Sequence, residues 1–350
     1  MYHPRLYGNF YDMGFKYGSL LRQKAIALPV MTESQAEFGA QCYQDVQHFY
    51  PELIAEFEGF AEGWKWEAAQ LGAFVSGLGV FDMTGKCSAF ASRTQDAVIF
   101  GRNYDLLYKF RKTTESCLIA PQNKFAYVSQ SDVFIGRCDG VNETGLAIAM
   151  SFVNGTQIQP GITFHLIIRK VLETCSTVDA AIAVIQSAKV ASANNFLIAD
   201  ATGNMAVVES APQGSEVRYP AASENYLCIT NQFQHPRMQA FDQGGIGWCQ
   251  SAERYQHLCD RLSQCPQIGV ETAKAILSTT PVCLDLRREQ FGTLWSVVAN
   301  LKTLAMARAE GKPKPTNYRP ETRLIWWLQN TFTNTASSSP SQAIIRNFHT

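Results

Sequence analysis

The feature that most constrains this chain is a change of hydrophobic period near residue 85. In "YDMGFKYGSLLRQKAIAL", "HFYPELIAEFEGFAEGWKW" and "AAQLGAFVSGLG", apolar residues recur three or four positions apart, the spacing of amphipathic helices. From Ser88 the period becomes two. "SAFASR", "AVIFGRNYD", "KFAYVSQ" and "GLAIAMSFV" alternate as strands do, separated by turn signals such as "TQD" and "VNETG". The first 85 residues are therefore expected to be mainly helical and the next stretch to begin a sheet.

Farther on, "FHLIIRKVLETC" and "TVDAAIAVIQSA" return to helical spacing, with Ser176 and Asp179 placed as a capping box for the second. "NNFLIAD", "NMAVVES" and "NYLCITNQF" form a second strand set, the first two joined by the turn "ATGN". Two helical stretches follow, "SAERYQHLCDRLSQ" and "VETAKAIL", then a strand pair around "GTLWSVVANL" and "KTLAMARAEG". The tail "NTFTNTASSSPSQ" is rich in Ser, Thr and Asn and is expected to be loosely held. No internal repeat is visible. Strand sets alternating with helix sets, without regular βαβ units, predict antiparallel sheets covered by helices.

Composition narrows the function classes. With 350 residues, 46% of them hydrophobic, the chain can bury a large core. Thirty Lys plus Arg balance thirty Asp plus Glu, so no basic field favours nucleic acid or an anionic membrane. A small-molecule partner is expected. "MYHPRLYGNF" lacks the pattern of a secretion signal, and no apolar run reaches the roughly 18 to 20 residues of a membrane span; a cytoplasmic protein is the expectation. The ten cysteines show no CxxC pairing and read as reduced thiols, mostly small core hydrophobes.

Within "GKCSAFASRTQDAVIFGRNYDLLYKF", a turn at "TQD" brings Arg102 and Asp105 back beside Cys87. A guanidinium next to a thiol favours the thiolate. An α-amine, with an unperturbed pKa of about 7.7 to 8.0, gives an N-terminal cysteine its own general base, and Asp105 is placed to anchor such an amine. Spacing alone favours a buried structural cysteine beside a surface ion pair.

Further motifs stand in order along the chain. Cys87, "GRNYD" at 101–105, "DGVNETGLAIAMSF" at 139–152, "ITNQFQHP" at 229–236 and "SAERY" at 251–255 together resemble the choloylglycine hydrolase and acyl-coenzyme A:isopenicillin N acyltransferase group of N-terminal nucleophile hydrolases. The resemblance extends from "YDMGFKYGSLLR" to about residue 310. It implies an α+β fold, an αββα sandwich of two antiparallel sheets between helical layers. It implies a helical prosegment or small subunit over 1–86 and a catalytic domain over 87–350, joined as a heterodimer after self-cleavage, with homo-oligomers also open.

The resemblance also implies roles. Cys87 becomes the N-terminal nucleophile by autocatalytic cleavage, Arg102 and Asp105 contact its thiol and amine, and Asn142 lends a backbone N–H to the oxyanion hole. Asn231 lends a side-chain donor to the same oxyanion, and Arg254 supports the site. No cofactor or metal is implied. The reaction is attack on a linear amide through a thioester, released to water by a hydrolase or to an amine or thiol by an acyltransferase. Penicillins, conjugated bile acids, acyl amino acids and acyl homoserine lactones are all open as substrates. Two positions depart from the family pattern: Lys86 precedes the nucleophile, and His257 stands where a second arginine is expected.

Two other readings remain, a papain-like pair and an unprocessed binding protein, and histidine spacing rejects a third, the metal hydrolase. A papain-like pair would use His165 or His235. A metal hydrolase would need clustered ligands, and the six histidines show no HxxxH or HxH spacing. An unprocessed binding protein of the same fold would keep its N-terminal segment.

Overall fold

The computed structural model describes residues 1–24, 30–80, 85–245, 247–265 and 267–336. The N-terminal region contains β1 (Arg5–Gly8), α1 (Phe10–Gln23), α2 (Glu33–Phe49), α3 (Leu53–Trp64) and α4 (Ala68–Gly77). Then come β2 (Lys86–Arg93), β3 (Val98–Leu107), β4 (Glu115–Pro121), β5 (Tyr127–Ser131), β6 (Asp139–Asn142) and β7 (Ala147–Phe152). The helices α5 (Phe164–Thr174) and α6 (Val178–Ser187) separate these from β8 (Asn194–Ala199), β9 (Met205–Ala211), β10 (Gly214–Arg218) and β11 (Tyr226–Ile229). The chain continues through α7 (Pro236–Gln239), α8 (Ser251–Ser263), α9 (Val270–Leu277), β12 (Asp285–Leu286), β13 (Phe291–Asn300), β14 (Ala305–Glu310), β15 (Arg319–Glu321) and α10 (Arg323–Ala336). Among the described residues no helix is long and apolar enough to cross a membrane.

One sheet runs β1-β4-β5-β6-β7-β8-β9-β10; the other runs β11-β2-β3-β13-β14-β15, with β12 beside β13. The sheets face each other through β2 and β7, with α5 and α6 on the outer face of the first and α8 and α9 on the outer face of the second. This is the αββα sandwich expected from the sequence. Among the named strands, pairing is antiparallel except at one edge, where β1 runs parallel to β4 with Leu6 opposite Ile119. Segment 1–86 is thus not all helix: β1 belongs to the first sheet, and Lys86 already lies in β2.

One local expectation needs correction. The N-cap of α6 is Thr177, whose hydroxyl accepts from Ala180 N; Ser176 lies one residue too early to reach that amide. Residues 330–336 of the Ser/Thr/Asn-rich tail are helical in α10, whose Trp327 packs on Tyr7 of β1 at 5.4 Å while Arg5 lies over Trp326. The rest of that tail, 337–342, lies outside the described residues.

The N-terminal helices are joined to the sandwich by buried polar contacts. Arg169 on α5 donates to Glu56 of α3, at 2.9 Å for one of the two bonds, and to Glu173 at 2.8 Å. Tyr17 of α1 donates to Glu115, which also accepts from Arg137 at 2.6 Å. All of these side chains are fully or almost fully buried. Burial alone would push the Glu56 carboxyl up, and the facing Arg169 charge opposes it.

The approach of α1 to α3 depends on glycine. A Cβ at Gly14 would overlap the Glu56 carbonyl oxygen, and one at Gly59 the Tyr11 carbonyl oxygen, so the two backbones touch. Gly14→Ala gains about 1 kcal/mol of helix propensity but must push the helices away from each other. We expect a net loss of about 2 kcal/mol, read from urea denaturation in a Cys87→Ala background. An unchanged or raised midpoint would show that the crossing tolerates a methyl group.

Candidate active site

Cys87 is the second residue of β2, opposite Tyr104, while Ala89 lies opposite Arg102 and Lys86 opposite Asp105. Side chains alternate faces along a strand. Cys87, Arg102 and Tyr104 therefore face the other sheet, and Lys86, Ser88 and Asp105 face the helices. Arg102 Nη2 donates to Cys87 Sγ at 3.2 Å. Its Nη1 donates to Cys138 O and to Asp139 Oδ2, both at 2.5 Å. Trp295 Nε1 holds the same carboxylate oxygen at 2.9 Å and stacks on Tyr104 at 4.0 Å.

The peptide at Cys87 is held from the helical side. Its N–H donates to Asn231 Oδ1 at 3.0 Å, and Arg254 Nη1 donates to Cys87 O at 2.6 Å and to Ser88 Oγ at 2.8 Å. Arg254 Nη2 also donates to Asn231 Oδ1 at 2.8 Å, while Asn231 Nδ2 donates to Phe152 O at 2.8 Å. Asn231 is fixed by β11 just before it and by Ser251 Oγ at the start of α8, which accepts from its backbone N–H at 2.9 Å.

Asp105 Oδ1 accepts from Thr293 Oγ1 at 2.6 Å, and among the described residues its buried Oδ2 has no hydrogen-bond partner. Burial pushes its carboxyl up to about 6, against the pull of Arg254. Cys87 behaves similarly: burial raises its thiol above the ordinary value, and Arg102 only partly offsets this. The expected thiolate is therefore not favoured while Cys87 lies inside the chain. Burial also opposes the charge of Arg102, but Asp139 and Cys87 more than compensate and its pKa rises. Burial depresses Arg254 and Lys86.

Cys87, Arg102, Asp105, Asn231 and Arg254 thus come together. Asn142 does not join them. Its N–H closes the turn onto Leu146 O at 2.9 Å, its Nδ2 donates to Leu172 O and Cys175 O, and its Oδ1 accepts from Thr144 and Leu146. Asparagine fits here as a turn residue before the positive φ of Gly145. Three residues earlier on the same motif, Asp139 reaches Arg102; the sequence does not single it out, nor Tyr104 and Trp295. The alternation of "GRNYD" places Tyr104 on the Arg102 face, but nothing local announces Asp139 or Trp295.

Cys87 lines a cavity of about 410 Å³ whose walls include Leu106, Phe110, Met150, Phe152 and Phe164, together with Phe74 and Leu78 from the N-terminal segment. His165 also lines it, but its Nε2 faces Asp132 Oδ1 at 3.9 Å, and burial brings its pKa down to about 3. It is a poor base for Cys87. His235 caps α7 near Glu216, outside that wall.

The sequence model of the acyl-coenzyme A:6-aminopenicillanic acid acyl-transferase family matches residues 92–315. Among solved structures, a variant of conjugated bile acid hydrolase from Clostridium perfringens aligns with a TM-score of 0.50 and 17% identity over 64% of this chain and 89% of that one. Penicillin V acylase from Agrobacterium tumefaciens aligns at 0.46 and 16% identity, over 64% and 82%. No curated protein sequence matches the chain. The bile acid hydrolase likeness shows the shared sandwich.

An acid whose folded pKa lies above its unfolded one holds its proton more tightly when folded. Asp105 therefore favours the fold below its ordinary value of 3.8 and loses that advantage as pH rises through about 6. In uncleaved Cys87→Ala protein, unfolding free energy should fall by up to about 3 kcal/mol more between pH 4 and pH 8 with Asp105 than with Asn at that position. Parallel curves for the two proteins would place the Asp105 pKa near its ordinary value.

Proposed function

The chain belongs to the acyl-coenzyme A:6-aminopenicillanic acid acyl-transferase family, and from that premise we propose that it is an N-terminal nucleophile enzyme that cleaves or transfers acyl groups at linear amides through Cys87. The observation that carries this reading is the convergence at one peptide of the Cys87 thiol, Arg102, Asn231 and Arg254 beside an apolar cavity. The segments 1–86 and 87–350 are read as small and large subunits.

In maturation the Cys87 thiol attacks the Lys86 carbonyl, the C–N bond breaks, and water hydrolyses the resulting thioester to leave a Lys86 carboxylate and a free Cys87 amine. Asp105 lies opposite Lys86, so its spare carboxylate oxygen is on the face where the new ammonium appears. That positive charge favours the Asp105 carboxylate and the Cys87 thiolate together. Cleavage also frees Lys86, nearly buried in the intact chain, to return to water.

In turnover the amine takes the thiol proton and the thiolate attacks the substrate carbonyl. The second hydrogen of Asn231 Nδ2 is the donor for the developing oxyanion, and the ammonium protonates the leaving amine. With Asn142 committed to its turn, Asn231 is the oxyanion residue this site supports. The cavity takes an apolar acyl group. The resulting thioester passes to water, to an amine or to a thiol, and product analysis with penicillins, conjugated bile acids and acyl amino acids separates hydrolysis from transfer.

Two results test this reading. Purified wild-type protein should give two masses under denaturing conditions, divided at Lys86–Cys87 and co-eluting in native buffer, whereas Cys87→Ala should give one. A wild-type chain that stays intact while hydrolysing amides refutes the mechanism. Asn231→Ala should mature more slowly and, once mature, turn over roughly 100-fold more slowly or worse, because one oxyanion donor is worth about that factor; turnover near the wild-type rate removes Asn231 from the site.

A further inference from the structure

The loop from β5 to β6 returns Cys138 beside Asp132, and the start of α5 brings His165 against both. The Cys138 thiol donates to Asp132 Oδ1 at 3.2 Å, His165 Nε2 is 3.9 Å from the same oxygen, and the three ligand atoms all lie within 4.8 Å of one another. Cys138 N donates to Gln130 O at 3.0 Å and Arg137 N to His165 O at 3.0 Å, so loop and helix hold the group before any ligand arrives. Tyr104 Oη donates to Asp132 Oδ2 at 2.8 Å, leaving Oδ1 for the cluster.

We propose that Asp132, Cys138 and His165 form a binding site for a zinc-class divalent cation, with its open coordination position turned toward the acyl cavity. One thiolate sulfur, one imidazole nitrogen and one carboxylate oxygen are a donor set suited to borderline-soft divalent metals. The charges balance: a divalent ion with one thiolate, one carboxylate and a neutral imidazole is neutral overall, which suits a site where Cys138 and His165 are buried. The nearby Arg102 guanidinium is itself matched by Asp139. Binding displaces the Cys138 thiol proton to solvent, and no electron moves. Asp132 and His165 both line the cavity beside Cys87, so the fourth position takes water or a donor atom of whatever occupies the cavity. The Tyr104 hydroxyl acts from behind Asp132, orienting the carboxylate. Histidine spacing could not show this group, because its members come from a loop and a helix far apart in sequence. The proposal does not depend on Cys87 being a nucleophile.

The test uses the reduced, chelator-treated full chain titrated with cobalt(II) and then zinc. Wild type and Cys87→Ala should each bind one equivalent, with a thiolate-to-cobalt charge-transfer band and the visible bands of tetrahedral cobalt, and zinc should abolish both. Cys138→Ser should lose the charge-transfer band and about 100-fold or more in zinc affinity. Tyr104→Phe, which keeps its ring against Trp295, should lose about 10-fold. If Cys138→Ser does not fold, Asp132→Asn must show the same loss of affinity, and zinc binding to Cys87→Ala must still release one thiol proton by calorimetry in buffers of different ionisation enthalpy. The proposal is overturned if wild type shows no charge-transfer band, if the band survives Cys138→Ser, or if it disappears in Cys87→Ala and remains in Cys138→Ser.

Discussion

The guanidinium of Arg102 spans the space between the two sheets. It leaves β3 in one sheet, meets the Asp139 carboxylate of β6 in the other at 2.5 Å, and still has an N–H for Cys87 Sγ at 3.2 Å. Both members of the ion pair are almost completely buried, and removing one partner of such a pair typically costs about 3 to 5 kcal/mol. Trp295 and Gln130 N complete the carboxylate's hydrogen bonds. This contact links the two sheets and holds the thiol from the side opposite Asn231 and Arg254. Much of the energy of this pair offsets its own desolvation, so its main consequence is placement.

A second guanidinium plays the matching role on the other face of β2. Arg254 has no carboxylate within hydrogen-bonding distance among the described residues and directs its donors to Cys249 O, Cys87 O, Ser88 Oγ and Asn231 Oδ1. Its nearest carboxylate influence is Asp105, whose carboxyl burial raises to about 6. Above that value the Asp105 carboxylate and the Arg254 guanidinium are opposite in sign but share no hydrogen bond. Release of an amine at Cys87 would supply the partner that Asp105 lacks, which gives the two charges a reason to appear together.

The sandwich is legible in the sequence where the period is clean. β2, β3, β7, β8, β9 and β13 alternate or run apolar in "SAFASR", "VIFGRNYD" and their like. β1 is hidden because four residues between Pro4 and Asn9 are too short to show alternation, and its partner β4 is buried on both faces. α10 is masked by its Asn- and Thr-rich end, although two tryptophans hold its start against β1. The glycines of "GFKYG" and "GFAEG" recur four residues apart in both α1 and α3, a visible mark of the close helix crossing. In the site, Cys87, Arg102 and Asp105 share one hairpin and can be placed by counting along it. Asn231 and Arg254 need the family resemblance, because long-range pairing of β11 with β2 has no local sign. Asn142 shows where resemblance and geometry diverge: its N–H and Oδ1 are taken by the turn it opens and its Nδ2 by the end of α5.

The cavity ties this topology to the segment ahead of Cys87. Phe74, Leu78 and Gly79 come from the segment ahead of Cys87, and Gly85 stands just before Lys86, yet all four line the wall that Cys87 also lines. A segment cut at Lys86 and then lost would leave the cavity without that wall. What opposes its loss is apolar packing in one shared core together with polar contacts: Glu56 on Arg169, Tyr17 on Glu115 and the backbone pairing of β1 with β4. Such contacts are costly to break inside a core, since each would leave a charge or a donor without a partner. They are also specific in geometry, which purely apolar packing is not. The contacts that would hold a cleaved segment in place are therefore also the contacts that keep Phe74, Leu78 and Gly79 in the cavity wall.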